Sequence, residues 1–338
     1  MKQIISVELF YNTLSHLPII DVRSPGEFQK GHIPGANNIS LFTNEERAIV
    51  GTAYKQISKE KAMDLGYEFV NPKLEGFITK SLQVAPQKEV VVHCWRGGMR
   101  SQAFAAHLHD NGFEKVHILE GGYKAFRNHV LRFFEQPFKL KVLGGYTGSG
   151  KTEILHILGE RGQQVIDLEG LANHRGSAFG GIDLPPQPTH EQFENNLFEA
   201  FCRQDHNQDI WLEDESMAIG KVLIPKPLFN QMRNTTLYFL HIPQQERAKH
   251  LVDTYAHLNP DGLKESVHKI ASRLGGEKTK MALQALEKND FHLVAELVLG
   301  YYDKYYRKGL LQHDPDTLIE IKAVNTHHEN NATLLLKA

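Results

Sequence analysis

Short β-branched or aliphatic runs recur along the chain, at 17–23, 90–92, 115–119, 140–144, 164–169, 209–212, 237–240 and 318–321. Runs of this length, bounded by Gly, Pro or Asp, predict buried strands. Between them lie segments whose apolar residues return every three to four positions. In the segment 189–203, for example, Phe193, Leu197, Phe198 and Phe201 share one face. Further helices are predicted over 101–109, from Gly121-Gly122 to about 134, over 153–160 and over 244–255. From about 260 to 311 the chain reads as helices alone, apart from a basic turn at 272–280. Strands alternating with helices predict an α/β protein built on parallel sheets.

The pattern is interrupted at Gln136-Pro137, which predicts two domains, one over 1–133 and one over 138–338, the second with a helical region at about 245–311. Its 338 residues are comfortable for two cores. A helical insertion is expected at about 41–86, where Asn44-Glu45-Glu46-Arg47 can start one helix and 55–65 forms another. Its lysines Lys55, Lys59 and Lys61 are either a solvated face or a contact for a polyanion. Net charge is only −2, so nucleic-acid binding requires a local basic patch. No apolar run reaches transmembrane length and no charged-then-apolar leader is present, so the cytoplasm is the expected location. Two cysteines, Cys94 and Cys202, cannot make a disulfide framework, and Cys202, beside the apolar face of its helix, is expected to be packing. The nineteen histidines show no paired zinc spacing, and His327-His328 are expected to be solvated.

Two turns carry candidate chemistry. The run Val90-Val91-Val92-His93 ends at Cys94-Trp95-Arg96-Gly97-Gly98-Met99-Arg100-Ser101, a strand, a glycine-permitted curl and a helix start. Loop amides, the helix N-terminus, Arg96 and Arg100 would stabilise a Cys94 thiolate and seat a tetrahedral oxyanion beside it. A cysteine that merely packed a core would have no need of these glycines and arginines. The second turn, Gly145-Tyr146-Thr147-Gly148-Ser149-Gly150-Lys151-Thr152, is G-x-x-x-x-G-K-[ST] between a strand and a helix. Its amides, with Gly145, Gly148, Ser149 and Gly150 shaping the loop, would cradle a di- or triphosphate. Lys151 would neutralise the phosphates, and Thr152 would hold a candidate magnesium ion. His174 and Arg175, in a glycine-rich loop, are candidates for a further anion contact. The acidic strand end Glu213-Asp214-Glu215-Ser216 could complete the magnesium site, with Asp214 as the candidate ligand. Arg247 stands where lid arginines occur in P-loop kinases. Arg273, Lys278 and Lys280 in the basic turn, and the tyrosines and cations of 301–308, are candidates for RNA contact, although tyrosines at helical spacing also pack cores.

The stretch Asp21-Val22-Arg23-Ser24-Pro25-Gly26-Glu27-Phe28, followed by Gly31-His32-Ile33-Pro34-Gly35-Ala36 and the cysteine loop, resembles a rhodanese domain. In that family the loop cysteine accepts a sulfur or related chalcogen atom. Many rhodaneses have one residue fewer between cysteine and closing arginine. The C-x5-R spacing here resembles the related phosphatases and implies a cradle roomy enough for a phosphorus-based anion. The whole is thus expected to be a rhodanese-like parallel-sheet domain followed by a P-loop NTPase-like α/β domain with a helical C-terminal part. Together with Gly121-Gly122-Tyr123-Lys124-Ala125, Ala172-Asn173-His174-Arg175-Gly176-Ser177 and Glu213-Asp214-Glu215-Ser216, the two turns resemble the bacterial tRNA 2-selenouridine synthases.

That resemblance implies an enzyme that replaces the sulfur of wobble 2-thiouridine in tRNA by selenium from selenophosphate. It also implies an S-geranyl intermediate made from geranyl diphosphate, and a selenophosphate-producing enzyme as the source of the donor. The P-loop would then serve the prenyl diphosphate, and Cys94, Arg96 and Arg100 the selenophosphate. Two other readings remain: a kinase or NTPase with a rhodanese sulfurtransferase domain attached, and a non-catalytic RNA-binding scaffold.

Overall fold

The computed structural model describes residues 2–310 and 315–338, so position 311 of the expected helical region lies outside the described residues, as does the Lys308 side chain. The chain divides into two compact units, Met1–Phe133 and Phe134–Ala338.

The first unit is built on a five-stranded, wholly parallel sheet ordered Lys2–Ile5, Lys115–Leu119, Glu89–His93, Ile19–Asp21, Asn37–Asn38. Its core joins Ile20, Val22, Val90, Val92, Val116 and Ile118 from the sheet to Phe104, Ala105 and Leu108 of the Met99–Asp110 helix. The Lys2–Ile5 edge strand escapes the hydrophobic pattern because three of its four residues are exposed. The insertion holds three α-helices rather than two, Asn44–Gln56, Lys59–Val70 and Leu74–Val84. The first begins at a capping box in which Thr43 accepts from the Glu46 amide while Glu46 accepts from the Thr43 amide. Lys55, Lys59 and Lys61 are all exposed.

The second unit is again a five-stranded parallel sheet, ordered Leu318–Lys322, Leu237–His241, Leu140–Gly145, Ile210–Glu213, Gln164–Ile166. In both units, therefore, the candidate turn leaves the C-terminal end of the central strand, where open α/β sheets bind ligands. The strand expected over 164–169 stops at Ile166, because the Asp167 carboxylate accepts from the Gly170 amide at 2.6 Å and caps a helix, Leu168–Ala172. Helices Pro260–Lys269, Gly276–Glu287 and Phe291–Leu310 form a separate apolar cluster around Leu263, Val267, Ala282, Leu286, Val294 and Val298. The His328–Lys337 helix packs Ala332 and Leu335 against Ile154, Leu155 and Leu158 of the P-loop helix. Among the described residues no helix is long and apolar enough to cross a membrane.

Candidate functional site

The cysteine turn is held from below. The Tyr123 amide donates to the Cys94 carbonyl at 2.9 Å and the Lys124 amide to the Trp95 carbonyl at 3.0 Å. Gly122 makes this approach possible. Its φ is +57°, and a Cβ there would lie 2.3 Å from the Cys94 carbonyl oxygen and 2.6 Å from the Gly97 nitrogen. Beneath the shelf, Arg23 forks onto the Asp21 carboxylate at 2.9 and 2.6 Å, with its guanidinium 3.8 Å above the Tyr123 ring. Cys94 is 3 % exposed, its Sγ 3.3 Å from the Ser101 hydroxyl. Burial alone would push its thiol up. The Ser101 hydroxyl, the Arg100 charge and the amides of Arg96 and Ser101 outweigh burial and hold it below the ordinary thiol value. Arg100 is aimed by Glu27, to which it donates at 3.0 Å, while Glu27 also accepts from the Ser24 amide in a capping box. Arg96 is exposed beside Trp95 and Met99. The result is an electropositive turn carrying an ionisable sulfur.

The P-loop follows Leu140–Gly145, with Gly148 at φ +80° and Gly150 at φ +70° opening the helix Lys151–Glu160. Gly145, Thr147, Gly148, Ser149, Gly150, Lys151 and Thr152 line one cavity, and Arg175 lines it with them. His174 does not. It faces the neighbouring groove, where its imidazole lies against Gly180, Gly181 and Gly220. Arg247 is no lid residue either: it is 2 % exposed, forks onto Asp303 at 2.9 and 2.7 Å and donates to the Thr147 carbonyl at 3.0 Å, bracing the loop from behind.

Carboxylates crowd this cavity. The Thr152 hydroxyl donates to Glu169 at 2.9 Å. Burial pushes the carboxyls of Glu169 and Glu215 up, and Lys151 opposes the rise in both. Glu213 is pushed up to about 8 by burial and by the charges of Asp167 and Glu169. Asp214, the expected magnesium ligand, is already engaged: one oxygen pairs with Arg233 at 2.6 Å and the other accepts from the Tyr306 hydroxyl. An all-oxygen donor set of Thr152, Glu169 and Glu215, short of positive charge, fits a hard divalent cation. The sequence marks Glu169 as one of two carboxylates at a strand end and Glu215 as one of three consecutive acids, and only the fold tells which of them faces the loop.

Beside the P-loop cavity lies an apolar cleft lined chiefly by Phe179, Leu251, Leu263, Leu286, Val294 and Val298. Thr147, Ser177, Leu251 and Tyr302 border both spaces. A third hollow, on the other side of Ser177 and Tyr302, holds Arg273, Lys269, Lys221, Tyr301 and Tyr305. Arg273 reaches the Tyr301 hydroxyl at 3.5 Å and Tyr305 is 68 % exposed. Lys278 and Lys280 are exposed on the Gly276–Glu287 helix and do not line this groove. Tyr306 turns inward to Gly145 and Tyr146. Cys202 is a packing residue, its thiol pushed up to about 12 by burial.

Comparison with known proteins joins the two turns. The family described as the tRNA 2-selenouridine synthase AAA domain matches residues 138–331, and the rhodanese-like domain matches residues 6–129. A tRNA 2-selenouridine synthase of Hydrogenovibrio crunogenus is 38 % identical over 328 residues, covering 87 % of this chain and 89 % of its own length. One of a Sulfurovum species is 38 % identical over 87 % of this chain and 88 % of its own, and one of Shewanella denitrificans 34 % identical over 92 % and 93 %. With both turns intact and the likeness spanning both units, the chain belongs to the tRNA 2-selenouridine synthase family.

Proposed function

We propose that the chain converts wobble 2-thiouridine in tRNA to 2-selenouridine in two steps, S-geranylation from geranyl diphosphate at the P-loop and then exchange for selenium from selenophosphate at the Cys94 turn. The observation that carries this reading is that a phosphate cradle and an apolar cleft share the walls formed by Thr147, Ser177, Leu251 and Tyr302. A nucleotide would ask for polar groups that recognise a base. A ligand that is phosphate at one end and hydrocarbon at the other suits this pair of spaces.

In the first step the thiocarbonyl sulfur gives an electron pair to the allylic carbon. The C–O bond breaks toward diphosphate, and N3 of the base gives up its proton. Lys151, the loop amides and the helix N-terminus stabilise the charge that gathers on the leaving group. Magnesium held by Thr152, Glu169 and Glu215 would supply further neutralisation there. In the second step selenium of selenophosphate bonds to C2, the C2–S bond breaks and geranyl thiol departs with a proton; water then cleaves the P–Se bond, releasing phosphate and leaving 2-selenouridine. Arg96, Arg100 and the turn amides hold the donor's oxyanion against the Cys94 sulfur. Arg273, Lys269, Tyr301 and Tyr305 are candidates for contact with the RNA strand, stacking and neutralising in one groove. The setting is the cytoplasm, with a selenophosphate-producing enzyme as partner.

The test is nucleoside mass spectrometry of tRNA incubated with purified variants. Cys94→Ala should stop selenation and leave S-geranyl-2-thiouridine behind, while Lys151→Ala should stop geranylation itself. Equal loss of both activities in both variants, or turnover of ATP in place of geranyl diphosphate, would refute the division of labour.

A further inference from the structure

We propose that Glu153, His250 and His328 form a binding site for a divalent transition metal of the zinc class at the rim of the P-loop, separate from the all-oxygen position at Thr152 and Glu169. One ligand atom from each of the three residues lies within 4.8 Å of the others. They come from three helices that converge only in the fold. Glu153 stands in the first turn of Lys151–Glu160, His250 on Gln244–Tyr255, and His328 opens His328–Lys337. His250 Nε2 is already 3.8 Å from Glu153 Oε1, and the two imidazole rings meet edge to face with centroids 5.2 Å apart.

The second observation is at His328. Its Nε2 is buried and has no hydrogen-bond partner among the described residues. That nitrogen is pressed against the loop, since a Cβ on Gly150 would lie 2.6 Å from it. A buried unpaired nitrogen is costly to keep, and a bound cation would satisfy it. Two imidazole nitrogens and one carboxylate make the donor set of three-ligand zinc sites, in which a fourth position stays open. Metal–ligand bonds of about 2.0–2.1 Å require ligand atoms about 3.4 Å apart, so side-chain adjustments of about an ångström close the site. Glu153 and His250 line the phosphate cavity, so the open position faces it and would take a phosphate oxygen. No short spacing announces such a site, because the ligands lie far apart in the chain.

The experiment uses the full chain without a histidine tag, stripped with a chelator and titrated with Co²⁺ as a visible probe, with Zn²⁺ as competitor. Neither tRNA nor a prenyl donor is needed, so the result stands apart from the proposed reaction. One equivalent of Co²⁺ should give the intense visible bands of four-coordinate cobalt. Zn²⁺ should abolish them, and inorganic pyrophosphate should shift them as it enters the open position. Glu153→Gln, His250→Ala and His328→Ala should each weaken binding by about 100-fold or more, beyond the roughly 10–100-fold seen for outer partners of a metal. His156→Ala, on the same P-loop helix but outside the cluster, should bind as the parent does. Circular dichroism checks the fold, and Glu153→Gln, a near-isosteric change at an exposed residue, serves if a histidine variant misfolds. Absence of saturable Co²⁺ binding, or binding that survives the substitutions because other histidines supply it, overturns the proposal.

Discussion

The two phosphate-class turns sit at equivalent places, each at the end of the central strand of a five-stranded parallel sheet, yet their electrostatics are opposite. Around Cys94 the balance is positive: Arg100, the helix start and loop amides overcome burial and draw the thiol down. Around Lys151 several carboxylates gather, and Glu169, Glu213 and Glu215 are all pushed above the ordinary carboxyl value, first by burial and then by neighbouring carboxylates. The first turn therefore carries its own countercharge for an oxyanion. The second must borrow protons or a cation before it receives one. One frame, strand then glycine turn then helix, supports either solution, because the neighbours supplied by adjacent strand ends decide the field.

Substitutions that strike one turn and spare the other break the comparison most sharply. The largest effect is expected from Gly122→Ala. A methyl group there meets the Cys94 carbonyl at 2.3 Å on a backbone with positive φ, and the first unit should lose more than about 4 kcal/mol in denaturant titrations. The S-geranylation proposed for the second unit should persist if the turns work independently. Next is Arg247→Met, which strands Asp303 and leaves the Thr147 carbonyl without its donor; a loss of about 3 kcal/mol confined to the second unit, together with loss of the proposed geranyl transfer, is expected.

A pH series comes third. The Glu213 carboxyl is raised to about 8 from an ordinary 4.5, so its protonated form stabilises the fold fully below pH 4.5, and that contribution is lost as pH rises toward about 8. The melting temperature of the second unit should fall by on the order of 5 °C across that window without divalent cations, and Glu213→Gln should flatten the slope. The smallest effect is Arg100→Gln. It removes one of several groups that lower the Cys94 thiol, so alkylation of Cys94 at neutral pH should slow by about three- to tenfold while Cys202, raised to about 12, stays inert throughout.

The sequence displays what is contiguous. Cys94 through Ser101 and Gly145 through Thr152 are unbroken strings whose residue types already state their backbone geometry and charge. The α/β class follows from the alternation of strand and helix patterns. What stays hidden depends on pairing between distant segments. Asp214 and Glu215 are indistinguishable in a row of acids, and only the register that hydrogen-bonds the Asp214 amide to Leu143 turns one toward Arg233 and the other toward Glu169. Arg247 looks like a lid residue until Asp303 is found beside it. The run 301–308 reads as uniformly aromatic and cationic, but the helix divides its tyrosines, Tyr306 going to the P-loop sheet and Tyr305 to solvent. His328 falls in a polar stretch whose neighbour in space is Gly150, and no pattern along the chain connects the two.

The packing of the His328–Lys337 helix on the P-loop helix, reinforced by Arg161 reaching Glu329 and Thr333, bears on how the molecule is made. A ribosome delivers every strand of the first sheet by Leu119, so that unit can settle while the rest is still being synthesised. The second cannot: its Leu318–Lys322 edge strand and the helix that covers Ile154 and Leu158 emerge long after Lys151 has left the tunnel. During that interval the nascent polypeptide presents a finished thiol-bearing half and an unfinished phosphate-binding half, and the two capabilities arise in the reverse of the order in which the proposed reaction would call on them.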